Sequence, residues 1–307
     1  MPADIPALVR QRALANGGAG RDWLVSLPDI IAQLSSRWGL TIGSSYTGGT
    51  AGFVAAATDS SGNPCVLKVA MPLDLDERAA FERSVEAHRL AAGQGCAELL
   101  NADLSSCALL LEQLGPNLDE LHYEVPRILE TIATTLQTFW RPIHASNILP
   151  TGADKAQWLA SYVTNTWSDL GKPCSQRVVD QAVRYCDSRA DAFDPATAVL
   201  VHGDAHGWNT LAAGPDAFKF VDVEGLISEP AHDLSVAMRE YNEPLLGGDT
   251  ARLTTERAET LASLCAVDAQ AVWEWGFVER VSTGLANLRD FGSEEGTPFL
   301  DVAERCA

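Results

Sequence analysis

Positive charge is scarce in this chain. Its 307 residues include 22 lysines and arginines against 41 aspartates and glutamates, a formal net charge of −19. Such a surface repels nucleic acid and attracts cationic ligands, so no nucleic-acid partner is expected. No apolar run approaches the roughly 20 residues of a membrane span, so no membrane association is expected either. The opening residues, MPADIPALVRQRALANGG, lack a basic stretch leading into an apolar core, and no secretory signal is expected. The seven cysteines (Cys65, Cys96, Cys107, Cys174, Cys186, Cys265, Cys306) are scattered and contain no CxxC pair. That pattern argues against a zinc ribbon or a thioredoxin-like site and fits the reduced thiols of a cytoplasmic protein. Internal repeats and low-complexity tracts are also missing.

What is present is ordinary globular material, 46% hydrophobic and 21% charged. It is enough for one large domain or for two lobes sharing a cleft. Up to about Arg37 the chain reads as helix, with Trp23, Leu24, Leu27, Ile30, Ile31 and Leu34 near helical spacing. From Leu40 to Val69 short apolar runs are broken by Gly, Ser and Asn. DSSGNP is a strong turn signal there, and strand, hairpin, strand is predicted. A helix over about Asp76 to Ala92 follows, then ALLLEQL as a short buried strand ended by GPN. Beyond Leu118 the pattern is mainly helical, except where AVLVH and FKFVDVE flank a polar loop. The expected fold is α+β and two-lobed. An N-terminal helical segment would cover residues 1–37, a small β-rich lobe 38–115 and a large helical lobe 116–307.

The polar loop carries the sharpest signal, HGDAHGWN, His202 to Asn209. A kinase catalytic loop reads H-R-D-x-x-x-x-N, in which the Asp takes the acceptor hydroxyl's proton and the Asn holds a metal. Asp204 and Asn209 keep that interval. Asp222, at the end of FKFV, fits the third role, a hard oxygen ligand that joins Mg²⁺ to phosphate. Asp204, Asn209 and Asp222 are therefore the candidate catalytic residues, the latter two as metal ligands, with ATP and Mg²⁺ as cofactors.

Lys68, in CVLKVA, sits in a strand-like run as a phosphate-pairing lysine does. Glu82 and Glu86 follow on the next helix, and one of them should pair with Lys68. Glu86 is preferred because Leu90, one turn on, keeps that face packed. SSYTGGTAG occupies the place of a phosphate-covering loop. It is not G-x-G-x-x-G, but Gly48 and Gly49 would let backbone N–H groups approach phosphate oxygens. LLLEQLG, Leu109 to Gly115, would join the lobes, with the backbone from Glu112 to Leu114 holding the adenine.

With these residues in view the chain resembles the aminoglycoside phosphotransferases, within the protein-kinase-like superfamily. The family motif H-G-D-x-H-x-x-N is matched by His202, Asp204, His206 and Asn209. Its later G-D-P-x-x-D-L is matched at Pro230, Asp233 and Leu234, while Ser228 and Glu229 stand where the family has Gly and Asp. GRDWLVSLPDIIAQLSSRWGL, VLKVAMP, GQGCAELLNAD and WEWGFVERVSTGLANLRDFG resemble the streptomycin 6-phosphotransferase and hydroxyurea phosphotransferase branch. The similarity spans nearly the whole chain. It implies a kinase-like fold and ATP-dependent phosphorylation of a small antibiotic. It also implies that Asp233 supports the catalytic loop and that His202 and His206 are structural.

A cationic substrate would need carboxylates, and Glu224, Glu274, Glu279 and Asp290 are the candidates. Glu224 is preferred because it lies two positions past Asp222. Trp273 and Trp275 line a sugar site or pack in the core. A monomer and a homodimer are both compatible with the sequence. An aminoglycoside such as streptomycin is the expected acceptor, with another small hydroxylated metabolite or antibiotic, such as hydroxyurea or an amino sugar, as the alternative, and two more distant readings stand beside these. His202, Asp204, His206, Asp222 and Glu224 could ligate two metals for hydrolysis, since H-x-D-x-H puts three ligands on alternate positions. A pseudokinase that binds ATP without turnover is the non-enzymatic reading.

Overall fold

The computed structural model describes residues 5–47, 49, 52–143 and 146–307, and the chain separates into two compact units, Met1–Gly115 and Pro116–Ala307. The first unit begins with helices α1 (Ala7–Ala15) and α2 (Gly17–Trp38). Strands β1 (Thr41–Ser45), β2 (Gly52–Thr58) and β3 (Pro64–Ala70) follow, then α3 (Leu75–Ala91), β4 (Leu99–Asp103) and β5 (Ala108–Glu112). They form an antiparallel sheet in the order β1-β2-β3-β5-β4.

Trp23, Leu27, Ile31 and Leu34 fall on one face of α2 and bury against Phe53, Ala55, Leu67 and Val69 of β2 and β3. The Trp23 indole also donates to the Ala70 carbonyl at 3.0 Å. Burial of each large side chain contributes about 1.5–3 kcal/mol as an upper figure, which makes α2 an integral part of this unit. The DSSGNP turn closes as its sequence predicts. Asp59 Oδ1 accepts the backbone N–H groups of Ser61 and Asn63, both at 2.8 Å, and Gly62 takes the left-handed φ of 86° that the turn needs. Two strands escape the sequence reading. β1 and β4 are the edges of the sheet, short and half polar (TIGSS and LLNAD), so neither shows a clean two-residue alternation.

The second unit contains α4 (Val125–Phe139), β6 (Arg141–Pro142), α5 (Gly152–Asp169), α6 (Gln176–Asp191), β7 (Val199–Val201), β8 (Thr210–Ala212), β9 (Phe218–Phe220), β10 (Leu226–Ser228), α7 (Ala231–Arg239), α8 (Asn242–Leu246), α9 (Thr250–Cys265), α10 (Ala269–Asp290) and α11 (Ser293–Cys306). Helix α10 runs through the centre, packed by α5, α6, α7, α9 and α11. Every residue of α7 is buried. Among the described residues short strands alone interrupt the helices: β10-β7-β6, and the hairpin β8–β9. The result is the α+β, protein-kinase-like architecture, with a small sheet-based first unit and a mainly helical second one. Among the described residues no helix is long and apolar enough to cross a membrane.

Candidate active site

The loop His202–Asn209 leaves β7 and returns through a short 3₁₀ turn (Gly207–Asn209) into β8. Its first residue is locked from the inside. His202 is wholly buried, its Nε2 lies 3.0 Å from the Val221 carbonyl, and its Nδ1 accepts the Asp204 N–H at 3.1 Å. That pattern puts the ring proton on Nε2. Burial pushes the His202 pKa down, so the ring stays neutral. Asp233, also fully buried, takes three donors: the His202 and Gly203 N–H groups and the Trp140 indole, each at 2.8 Å. Charge-assisted bonds of this kind are short and stiff, so one carboxylate from α7 fixes the start of the loop. Gly203 has φ 92°, and a Cβ there would stand 3.0 Å from the Glu224 Cβ. Only glycine fits that close approach without strain.

Asp204 projects from this frame half-buried. Its Oδ1 accepts from Arg239 Nη2 at 2.7 Å. Its Oδ2 lies 3.2 Å from His206 Nε2 and 3.3 Å from Asn209 Nδ2. Burial by itself would raise the Asp204 pKa, but the His206 hydrogen bond and the Arg239 charge outweigh it, and the carboxyl is held well below the usual range. Burial would lower the His206 pKa, but the bond to Asp204 overcomes it and raises the value. His206 Nε2 is also 3.1 Å from Asn209 Nδ2. The two contacts exclude each other: a protonated Nε2 donates to Asp204, and a bare one accepts from Asn209.

Arg239 was not legible as a site residue. It ends α7, and its guanidinium also pairs with Glu279 Oε2 at 2.7 Å and Glu240 Oε1 at 3.1 Å. Glu279 thereby stands one residue behind Asp204. Lys155, on the first turn of α5, was also missed. Its Nζ lies 3.5 Å from Glu224 Oε2, and although burial alone would lower its pKa, Glu224, Glu279 and Asp204 raise it. Glu224 is held beside the loop by its own N–H, which donates to the His202 carbonyl at 3.0 Å.

The donor chemistry fits a hard cation. Asn209 turns its Nδ2 toward the Asp204 carbonyl at 3.0 Å, and no partner is found for its amide oxygen among the described residues. Asp222 is exposed, at a left-handed φ of 59°. The backbone bond from Val221 N to Asn209 O, 2.9 Å, ties these two oxygen donors to one β8–β9 hairpin. The binuclear hydrolase arrangement does not form. Both nitrogens of His202 serve the fold, and among the described residues no group of three His, Cys, Asp or Glu side chains is placed to hold a metal.

Glu274 does not join this group. It is buried, with its oxygens taken by Ser188 at 2.9 Å, Gln270 at 2.9 Å and Arg189 at 2.6 Å. It is thus spent on holding α6 to α10, which corrects its assignment as a substrate contact. Asp290 is occupied by Arg289 at 2.7 Å. Trp275 is fully buried with its indole on Glu229 at 2.9 Å, and Trp273 reaches Tyr185 at 3.2 Å, so both are packing residues.

The nucleotide candidates belong to the first unit. Lys68 is half-buried in β3, opposite Val54 and Leu109, on the face away from the Leu67 and Val69 core. Glu82 pairs with Arg78 at 3.6 Å, and Glu86 is half-buried on the same helix. Glu112 accepts the Glu98 N–H at 3.0 Å, and Leu114 is half-buried just beyond β5. Gly49 is exposed, with open space where a Cβ would stand. Gly48 lies outside the described residues.

His232 gives a pH test of this region. It is fully buried, with no hydrogen bond on either ring nitrogen and Glu279 Oε1 at 3.8 Å from Nε2, and burial pushes its pKa down to about 3. Above about pH 6.5 neither folded nor unfolded protein protonates it, so folding is unopposed. As pH falls from there toward 3, only the unfolded chain takes the proton, and stability drops by up to about 1.4 kcal/mol per pH unit. Urea midpoints should therefore fall between pH 6.5 and 4.5, and less steeply in His232→Gln. Equal slopes in the two proteins would exclude this source of acid sensitivity.

Residues 37–290 match the family described as aminoglycoside/hydroxyurea antibiotic resistance kinase. A streptomycin 6-kinase of Streptomyces glaucescens is 24% identical over 297 residues, 96% of this chain and 92% of that protein. A hydroxyurea phosphotransferase of Kitasatospora aureofaciens is 27% identical, over 98% of this chain and 84% of that protein. In fold, the chain is similar to a thermostable mutant of aminoglycoside phosphotransferase APH(4)-Ia in ternary complex with ADP and hygromycin B. The TM-score is 0.59 at 14% identity, covering 90% of this chain and 96% of the other. It is equally similar to a choline kinase from Cryptosporidium parvum, with TM-score 0.60 at 10% identity, covering 90% and 94%.

Proposed function

Because the chain belongs to the aminoglycoside/hydroxyurea antibiotic resistance kinase family, we propose that it transfers the γ-phosphoryl group of ATP to a hydroxyl of a small cationic antibiotic, an aminoglycoside such as streptomycin. The observation that carries this reading is the Asp204 carboxylate, clamped by Arg239 at 2.7 Å on a loop that also presents Asn209. Asp204 orients the acceptor hydroxyl and takes its proton as the O–P bond forms. Asn209 and Asp222 would hold Mg²⁺, which neutralises charge on the phosphates when bound. In the first unit Lys68, with Glu86 as its partner, would bind ATP phosphates, and the backbone at Gly49 would approach them. The backbone from Glu112 to Leu114 holds the adenine. Phosphoryl transfer needs alignment and charge neutralisation more than covalent help from the protein, and this donor set supplies both.

Glu224 supplies the negative charge that a cationic substrate seeks, and the net charge of −19 draws it in; Glu279, expected from the sequence to do the same, is buried on Arg239 and backs Asp204 instead. The test is ADP release from Mg·ATP across streptomycin, other aminoglycosides, amino sugars and hydroxyurea. Turnover on one cationic antibiotic supports the reading. Turnover on hydroxyurea or another uncharged metabolite keeps the kinase and discards the charge argument. ATP binding with no turnover on any compound points to a pseudokinase.

A further inference from the structure

Helix α5 carries three side chains on one face beside the Asp204 loop: Lys155, Trp158 and Tyr162. Trp158 is 55% exposed, unusual for an indole that packs on its own helix. It stacks on Tyr162 with ring centroids 5.0 Å apart and planes 16° off parallel. Lys155 Nζ lies 5.2 Å from the Trp158 ring centre and 3.5 Å from Glu224 Oε2. The ammonium is thus bracketed by a carboxylate on one side and an indole face on the other. That is the chemistry by which proteins recognise organic cations.

The bracket is loosely filled. At 3.5 Å the Lys155–Glu224 pair is too long for a strong hydrogen bond, and Glu224 is half open to solvent, at 54% side-chain exposure. Close by in charge terms, buried Glu279 keeps one oxygen, Oε1, with no hydrogen-bond partner. That oxygen faces the buried His232 Nε2 at 3.8 Å, so Glu279 lends the region charge from behind while Glu224 is the exposed carboxylate. The site also lies one residue from the reacting centre, since a Cβ on Gly203 would touch Glu224.

We infer that Glu224 and Trp158 form a cation subsite of the acceptor site, filled in the free protein by the tethered ammonium of Lys155 and taken over by an ammonium or guanidinium group of the substrate. This rests on the proposed phosphorylation of a cationic antibiotic and adds how its charge is selected. Lys155 is then a built-in competitor. It keeps the carboxylates from remaining bare, and it excludes ligands too weakly charged to displace it.

The test uses the full chain and streptomycin as the probe, with affinity measured by calorimetry without nucleotide. Lys155→Met should tighten binding about fivefold or more, because the competitor is gone. Glu224→Gln should weaken it about tenfold, and Trp158→Leu severalfold. Unchanged or weaker binding in Lys155→Met overturns the inference, because Lys155 would then be inert or would itself touch the ligand. Indole fluorescence gives a second reading on the unmutated protein. Streptomycin should change the emission as the ammonium leaves Trp158, and Trp158→Leu should abolish that change; a change that persists overturns the inference. Streptomycin bound with this pattern but never phosphorylated leaves the subsite standing and overturns the substrate. Phosphorylation with no gain in Lys155→Met does the reverse, and no binding in any variant overturns both.

Discussion

Replacing Asp204 with alanine should lower kcat by about 10³-fold or more while ATP affinity stays within a few fold. The carboxylate's neighbours are Arg239, His206 and Asn209. In the proposed reaction Asp204, held ionised by His206 and Arg239, would accept a hydrogen bond from the acceptor hydroxyl, align its oxygen and take the proton as the O–P bond forms. Asp204→Asn separates these contributions. It keeps the size of the group but loses the charge and leaves Arg239 without this partner. An asparagine variant as inactive as the alanine variant assigns the effect to charge and proton acceptance. An asparagine variant that retains a tenth or more of the activity assigns it to alignment. Near-normal turnover in Asp204→Ala would sink the catalytic assignment altogether. Asp222→Ala should also abolish turnover, but its loss should weaken as Mg²⁺ is raised, whereas that of Asp204→Ala should not.

Arg239→Met carries the second large effect, on both activity and stability. Arg239 is 9% exposed and joins Asp204 to Glu279, itself 4% exposed. Taking away one partner of a buried pair leaves an uncompensated charge, and the cost is commonly about 3–5 kcal/mol. Here the stranded group is chiefly Glu279, since Asp204 reaches solvent. Arg239→Met should therefore lower the unfolding free energy by about that amount and cut kcat at least tenfold by releasing Asp204. The double variant Arg239→Met with Glu279→Gln separates the two. It removes the stranded charge, so most of the stability should return, while kcat should not. Recovery of both together would mean that Arg239 acts only through the fold. A single variant as stable as the parent would show that Glu279 finds another partner or a proton.

The build of the His202–Asn209 loop was legible because it is local. The five-residue interval from Asp204 to Asn209 is set by a single turn of chain, and hydrophobic runs on both sides mark the strands that carry it. The strand position of Lys68 was legible for the same reason, as a polar residue on a strand whose alternate positions, Cys65, Leu67 and Val69, are buried. The turn at DSSGNP and the long apolar stripe of α2 are local too. Composition set the charge, and the motif set the reaction class.

What the sequence left open depends on contacts made across long stretches of chain. Arg239 stands 35 residues from Asp204 and 40 from Glu279, and no spacing rule links them. Glu274 and Glu279 look alike on one helix, yet the first is consumed by Arg189, Ser188 and Gln270 while the second stands behind Asp204 through Arg239. Lys155 opens an ordinary amphipathic helix, and only folding brings its ammonium to Glu224 and Trp158. The sequence by itself determined the fold class, the phosphotransferase class and the position of the loop proposed to perform the reaction, because periodicity and motif spacing are short-range. Tertiary structure alone decided which charges meet, because a carboxylate's role depends on which cation packs against it and on how much water the pair excludes.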